Sequence, residues 1–293
     1  MTTLVDPRSK HAQPPFKDQG TAEMPAPTSA MDPAPDHGES RYVGSGKLKG
    51  MVAIVTGGDS GIGRAVCIAY AKEGADVVVA GHSNPEDGES TASICEAAGV
   101  KAKYMQADLR EAAQCRKLIE DTVAAFGRLD VLVNNAAYQE TRETLDDMDD
   151  ELFDRVLKTN LYGPFWLSKA ALPHMKPGGS IINTTSIQGY DPSAMLLPYA
   201  TTKAALNGMT KALAKLAIEH GVRVNAVAPG PVWTPFIPGS MPADKVKTFG
   251  SSTLFGRPAQ PVELAPPYVW LASPEASYVT GEIYGVTGGM AQV

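Results

Sequence analysis

The sequence predicts an α/β protein, a single domain built on a doubly wound parallel sheet of about seven strands with helices on both faces. Three observations carry this. From residue 47 onward, short apolar runs alternate with helical patterns, as in consecutive βαβ units. Several of those runs are apolar at every position, as strands covered on both faces must be. No internal repeat and no second shift of composition follows residue 46, and 293 residues with 43% hydrophobic content suffice for one large core.

The elements follow in order. Residues 1–46 stand apart, with seven prolines, few β-branched residues and neither helical nor strand period. Such a segment buries too little apolar area to offset its ordering entropy. An extended arm is expected there: either a disordered tail or a strap laid on its own domain or a neighbouring subunit. "MVAIVT" (51–56) then reads as the first strand. "GIGRAVCIAYAKEGA" (61–75) sets Ile62, Val66, Ala69 and Tyr70 at helical spacing, with Gly74 as a stop. "DVVVAG" (76–81), a helix near 87–98, "AKYMQAD" (102–108), a helix over 111–127 and "LDVLVNNAA" (129–137) come next. A long helix near 149–175, "SIINTTS" (180–186), a helix over about 198–219, "VRVNAVAPG" (222–230), a helix near 261–272 and "EIYGVTGG" (282–289) complete the core domain, 47–293. Only "PVWTPFIPGSMPADKVKTFG" (231–250) breaks the rhythm.

Composition narrows the function classes. Lys plus Arg number 26 against 32 Asp plus Glu, a formal charge of -6 without runs of like charge. That argues against a nucleic-acid-binding face, which needs clustered cations. No apolar run reaches the length of a membrane span, and the N-terminus has no apolar signal core, so a cytoplasmic protein is expected. Cys67, Cys95 and Cys115 form no C-x-x-C pair, and the His residues are scattered; reduced thiols and no metal site are expected.

Between the first strand and the first helix lies "TGGDSGIG", Thr56 to Gly63. A helix N-terminus offers unpaired N–H groups and a partial positive charge, and glycines let a phosphate approach the backbone. The position matches the pyrophosphate cradle of a Rossmann-like sheet, formed by Thr56, Gly57, Asp59, Ser60, Gly61, Ile62 and Gly63. The spacing differs from G-x-G-x-x-G, and no Lys-Ser/Thr pair follows as in a P-loop. A tight turn is the plainer alternative. The second strand ends in Gly81 and His82, where an acid would bind the ribose hydroxyls of NAD. Without that acid, and with His82 and Ser83 able to bond a phosphate, NADP(H) is favoured over NAD(H).

"YATTK" puts Tyr199 and Lys203 four apart, on one face at the start of a helix. A nearby ammonium favours the phenolate and lowers the phenol pKa, so that the tyrosine serves as an acid/base near neutral pH. This motif is common by chance, and its position is what gives it weight. Ser186, thirteen residues earlier at the end of "SIINTTS", brings a hydroxyl to the same sheet edge. The plainer reading of Ser186 is a turn or helix cap.

Thr56-Gly57, Gly61, Gly63, "NNAA" at 134–137, Asn160, Ser186, Tyr199, Lys203 and Pro229-Gly230 together resemble the short-chain dehydrogenase/reductase family, over about residues 47–293. The arm, "TGGDSGIGRA" and "APGPVWTP" resemble more narrowly its N-terminally extended branch, with stress-associated, glucose/ribitol-dehydrogenase-like and aldehyde-reductase-like members. Ala137 and Thr185 depart mildly from the usual pattern. The resemblance implies Tyr199 as acid/base, Ser186 as carbonyl orienter, Lys203 as pKa modifier and ribose ligand, and Asn160 as holder of a relay water. It implies Asp108 on the adenine, Asn134 stabilising the central sheet near the cofactor, Leu109 and Ala136 as further cofactor contacts, and Val232 and Thr234 on the nicotinamide carboxamide. The plainer readings are an N-cap for Asp108, a structural amide for Asn134 and a helix kink for Asn160.

The segment 231–250 resembles the family's mobile substrate loop, with Trp233 and Phe236 joined by Gln188, Tyr190 and Met195 as pocket candidates. A locally packed apolar loop is the alternative. The implied activity is hydride transfer between a nicotinamide cofactor and a small carbonyl or alcohol substrate (aldehyde, ketone or sugar), acting on a CH–OH group. A cofactor-binding stress or sensor protein, or an isomerase or lyase using the same site, are the competing classes. The family also implies a homotetramer, or a homodimer, through the long helix and the Tyr199 helix.

Overall fold

The computed structural model describes residues 4–19, 24 and 26–290. The core is one seven-stranded sheet, every pair parallel, in the order β3-β2-β1-β4-β5-β6-β7. The strands are β1 Val52–Thr56, β2 Asp76–Gly81, β3 Ala102–Gln106, β4 Leu129–Asn134, β5 Met175–Thr184, β6 Arg223–Pro229 and β7 Ile283–Val286. Order reverses between β1 and β4, so their carboxyl ends diverge and leave the crevice where such sheets bind ligands.

Strand residues alternate between two apolar layers. Ala53, Val55, Val77, Val79, Val131 and Val133 pack with α1 (Gly61–Lys72), α2 (Pro85–Ala97) and, at the chain's end, the helix Pro261–Ala272. Ile54, Val78, Leu132 and Ile181 face the other way, against α3 (Ala112–Phe126) and the helices Gly163–Ala171 and Leu197–Ala217. The inner strands β1, β2 and β4 are therefore buried on both faces, which is the pattern read from the sequence, while the edge strands β3 and β7 are partly exposed.

The long helix expected near 149–175 is instead α4 (Asp150–Leu157), a π turn over Lys158–Tyr162 and α5 (Gly163–Ala171). Pro164 has no N–H to give the Asn160 carbonyl four residues earlier, and the helix widens there. β5 starts earlier than expected, at Met175, with a register shift between Leu129 and Val131, and it ends at Thr184, two residues before Ser186. α6 (Leu197–Ala217) begins two residues before Tyr199. The loop after β6 folds into α7 (Phe236–Ser240) and α8 (Ala243–Lys247), and α9 (Pro261–Ala272) opens with a Gln260–Glu263 capping box.

The described part of the arm lies as a strap on its own domain. Tyr42 donates to Glu73 at 2.7 Å, while Lys72 donates to the carbonyls of Gly38, Glu39 and Tyr42. Val262 N–H donates to the Asp36 carbonyl at the start of α9. Farther on, the Phe16 ring stacks on Trp233, centroids 4.1 Å apart. Such a pair adds about 0.5–1.5 kcal/mol beyond burial.

Candidate active site

One cavity of about 390 Å³ opens at the carboxyl edge of the sheet. It is bordered by the glycine loop, the ends of β2 to β6 and the 231–250 segment. The loop itself shows whether a dinucleotide fits. Gly61 has φ +52°, and a Cβ there would stand 3.0 Å from Thr234. A Cβ on Gly63 would stand 1.9 Å from the Gly57 carbonyl oxygen, so only glycine lets α1 start against the loop. Ser60 is the N-cap of α1 but gives its N–H groups no side-chain partner. The loop is thus an open amide cradle at a helix N-terminus, suited to a pyrophosphate. Thr56 ties it to β4: its hydroxyl accepts from Asn135 N–H at 3.0 Å and Ala136 N–H at 3.1 Å.

At the reacting end, Ser186 and Tyr199 line the same cavity, and the Ser186 hydroxyl acts to lower the pKa of the Tyr199 phenol. That hydroxyl caps the turn after β5, accepting from Gln188 N–H at 3.1 Å, as the plainer reading expected. Lys203 is 2% exposed and donates to the Thr184 carbonyl at 2.7 Å, with Nζ 5.3 Å from the Tyr199 ring centroid. Burial pushes the phenol up to about 12, opposed by the Ser186 hydroxyl, and pushes the ammonium down to about 7. The sequence reading expected Lys203 to lower the phenol. In this structure the desolvation of Tyr199 outweighs that, and the ammonium is directed at Thr184.

Thr56, Gly57, Asp59, Ser60, Gly61, Ile62, His82, Ser83, Asp108, Leu109, Ala136, Pro229, Gly230, Val232 and Thr234 line this cavity with Ser186, Gln188, Tyr199, Lys203 and Phe236. Six sequence candidates, Asn160 among them, do not line it. Gly63 lies behind the loop, in contact with Gly57. Asn134 is buried in the sheet, donating to Asn183 at 2.9 Å and Ser168 at 3.2 Å, which makes it a bridge between strand and helix. Tyr190 and Met195 belong to the segment after Ser186 but are not part of the lining. Trp233 is fully buried behind its loop, donating from Nε1 to the Pro33 carbonyl at 2.8 Å.

Asn160 is also behind the wall. Its amide oxygen accepts from Tyr138 N–H at 2.7 Å, and its amide nitrogen donates to the Tyr138 carbonyl at 2.9 Å and to Thr202 Oγ1 at 3.2 Å. The side chain therefore fixes the chain after β4 against α6. Asp108 is not the N-cap of α3, which is Glu111. Its carboxylate accepts three bonds from Arg110, which hold it below the usual carboxylate range.

Two features at the adenosine end escaped the sequence reading. Arg110 lines the cavity, although no cation follows the second strand itself. The missing acid at Gly81 is supplied from elsewhere: Asp59 Oδ1 lies 2.9 Å from where a Gly81 Cβ would be. Asp59 is 5% exposed, and burial pushes its carboxyl up to about 6. The signal was present only as an acid inside a glycine loop, whose direction no spacing reveals.

Known proteins resemble this chain over most of its length. A family model described as enoyl-(acyl carrier protein) reductase matches residues 57–291. The chain is 44% identical over 280 residues to the glucose and ribitol dehydrogenase of Daucus carota, covering 94% of this chain and 96% of that one. It is 43% identical over 273 residues to the chloroplastic NADPH-dependent aldehyde reductase 1 of Arabidopsis thaliana, covering 91% and 95%. A short-chain dehydrogenase from Burkholderia cenocepacia J2315, solved in complex with NADP, superposes with a TM-score of 0.78 at 32% identity, covering 83% of this chain and 98% of that one. With a phosphate cradle at the β1/β4 crevice, a Ser–Tyr–Lys cluster in the same cavity and matches spanning nearly the whole chain, the protein belongs to the short-chain dehydrogenase/reductase family of NAD(P)-dependent oxidoreductases.

Proposed function

We propose that this protein reduces a small carbonyl compound, or oxidises the corresponding alcohol, with Tyr199 as the acid/base. The observation that carries the reading is that Ser186, Tyr199 and buried Lys203 line the cavity that also holds the glycine cradle. Such a set has no purpose in a protein that only binds a nucleotide.

The nicotinamide, when bound, supplies the hydride to the carbonyl carbon or takes it from the alcohol. The chain's own residues do the rest. Ser186 donates a hydrogen bond to the substrate oxygen and polarises the carbonyl. Tyr199 gives its phenolic proton to that oxygen and is left as a phenolate, which the Lys203 ammonium stabilises at close range. Thr184 holds Lys203 in place through its carbonyl. The amides of Gly57 to Gly63 would hold the pyrophosphate, Asp108 and Leu109 the adenine, and Pro229, Gly230, Val232 and Thr234 the nicotinamide ring.

NADP(H) is our choice of cofactor. Support comes from His82, Ser83 and Arg110 around the second-strand edge, and from the NADPH-dependent relative and the NADP complex among similar proteins. Asp59 works against it, since a carboxylate favours ribose hydroxyls over a phosphate. We place the protein in the cytoplasm as a homotetramer. Three free buried cysteines suit a reducing compartment, and Phe153, Tyr162 and Phe165 expose apolar surface along α4 and α5 that a second copy would cover.

The test follows nicotinamide absorbance with NADPH or NADH and a panel of aldehydes, ketones and sugars in both directions. Turnover by the natural chain, lost in Tyr199→Phe, supports the reading. Cofactor binding without turnover across the panel sinks it in favour of a sensor.

A further inference from the structure

We propose that the N-terminal arm is part of the substrate site: it clamps the 231–250 loop from behind and supplies Met24 as one wall of the pocket, selecting carbonyl compounds with an extended alkyl or aryl group over polyhydroxylated ones. This rests on the carbonyl-reductase reading.

The arm meets the loop along its length. Phe16 stacks on Trp233, and its N–H donates to the Lys247 carbonyl at 2.9 Å, at the end of α8. Ala26 N–H donates to the Pro235 carbonyl at 3.2 Å, at the start of α7. The Pro33 carbonyl accepts from Trp233 Nε1. Phe16 and Met31 are buried with Trp233, Ile237 and Val246 in a small core separate from the two sheet layers, with Phe236, Met241 and Phe249 packed against it. Two layers therefore stand in series. The arm covers the back of the loop, and Phe236, Ile237, Met241 and Phe249 present its front to the cavity. Trp233 is the residue that joins them, which is why it is buried rather than pocket-facing.

Met24 goes further, because it lines the cavity itself. It packs on the cluster of Tyr138, Leu152 and Val156 together with Tyr199. An arm residue thus shares one apolar cluster and one cavity with the proposed acid/base, whose ring lies 6.2 Å from that of Phe236. The polar groups nearby are largely engaged within the protein. Gln139 donates to Ser240 Oγ at 2.7 Å, Gln188 Oε1 accepts from Ser193 N–H at 2.7 Å, and Glu140 is held by Tyr138 and Arg142. A substrate bearing many hydroxyls would leave them against methionine, phenylalanine and isoleucine, and unpaired hydroxyls lower affinity. A flexible thioether at the wall accommodates alkyl or aryl groups of varied shape.

The experiment uses full-length protein and three variants, Met24→Ala, Met24→Trp and Phe16→Ala. Propanal, octanal and glyceraldehyde are the substrates, and NADPH fluorescence gives the cofactor Kd. The natural chain should prefer octanal to glyceraldehyde. Met24→Trp should lower kcat/KM for octanal about tenfold, with propanal changed less than about threefold. Phe16→Ala should raise KM for octanal about tenfold by releasing the loop, and because Val232 and Thr234 lie on that loop the NADPH Kd should rise too, by a smaller factor. An unchanged ratio of octanal to propanal in both Met24 variants overturns the proposal, as does a preference for glyceraldehyde in the natural chain. If no carbonyl compound turns over, the reductase reading fails by itself. Calorimetric binding of octanamide to the NADPH-loaded protein then decides: weaker binding in Met24→Trp upholds the arm as a pocket wall, whereas equal binding or none rejects it.

Discussion

At the adenosine and phosphate end, inward-facing groups come from strand termini and the turns directly after them: 56–62, 81–83 and 107–110. At the substrate end, the wall is assembled from Met24, Tyr138, Leu196 and the 236–249 segment, pieces separated by most of the chain. The first end is made mainly of backbone, with glycines chosen for φ and close approach. The second is made of side chains that meet only because the arm is laid over the loop. Backbone geometry follows from local sequence, so the cofactor end is legible residue by residue. Side-chain convergence is a tertiary outcome, and there sequence order says little about who touches whom.

Variants should separate the two ends. The largest effect is expected from Tyr199→Phe, which removes the proton donor and should lower kcat by about 10²–10⁴-fold while NADPH still binds, as fluorescence titration would read. Loss of NADPH binding in that variant would mean the two ends are not independent. The pH profile comes next. A phenol held at about 12 stays protonated from pH 6 to 9, so reduction should be flat on this group. Oxidation needs the phenolate, so its kcat/KM should rise about tenfold per pH unit over that window. A plateau in alcohol oxidation near pH 7 would show that Lys203 lowers the phenol in the working enzyme after all.

Gly63→Ala should strike the other end. A Cβ 1.9 Å from the Gly57 carbonyl forces the loop away from α1, at about 1–3 kcal/mol of stability, with weaker cofactor binding and an intact arm. Unaltered thermal melting and NADPH affinity would show that the cradle is softer than its packing implies. The smallest effect is expected from Asp59→Asn, which should shift the kcat/KM ratio toward NADPH by about fivefold by removing a like charge. Because burial raises the Asp59 carboxyl to about 6, it gains its proton as pH falls through that value. The natural protein should therefore favour NADPH more strongly at pH 5 than at pH 8, and the variant should lose that dependence. A pH-independent ratio in the natural protein would remove Asp59 from cofactor selection.

The sequence alone determined the sheet, the glycine loop and the Ser186–Tyr199–Lys203 set, because each depends on local order. Apolar runs buried on both faces identify parallel strands, glycines sit where the backbone turns, and a four-residue spacing aligns two side chains on one helix face. Tertiary structure decided what crosses between segments. It turned Asn160 into a brace, because its side-chain amide, carried on the π turn, meets Tyr138 and Thr202. It buried Trp233 under Phe16 instead of in the pocket, since an indole beside an apolar strap loses more water by facing inward. It also brought Asp59 to the end of β2, filling the space that Gly81 leaves open. Those placements depend on which surfaces meet once the chain is compact, and no spacing along the chain encodes that.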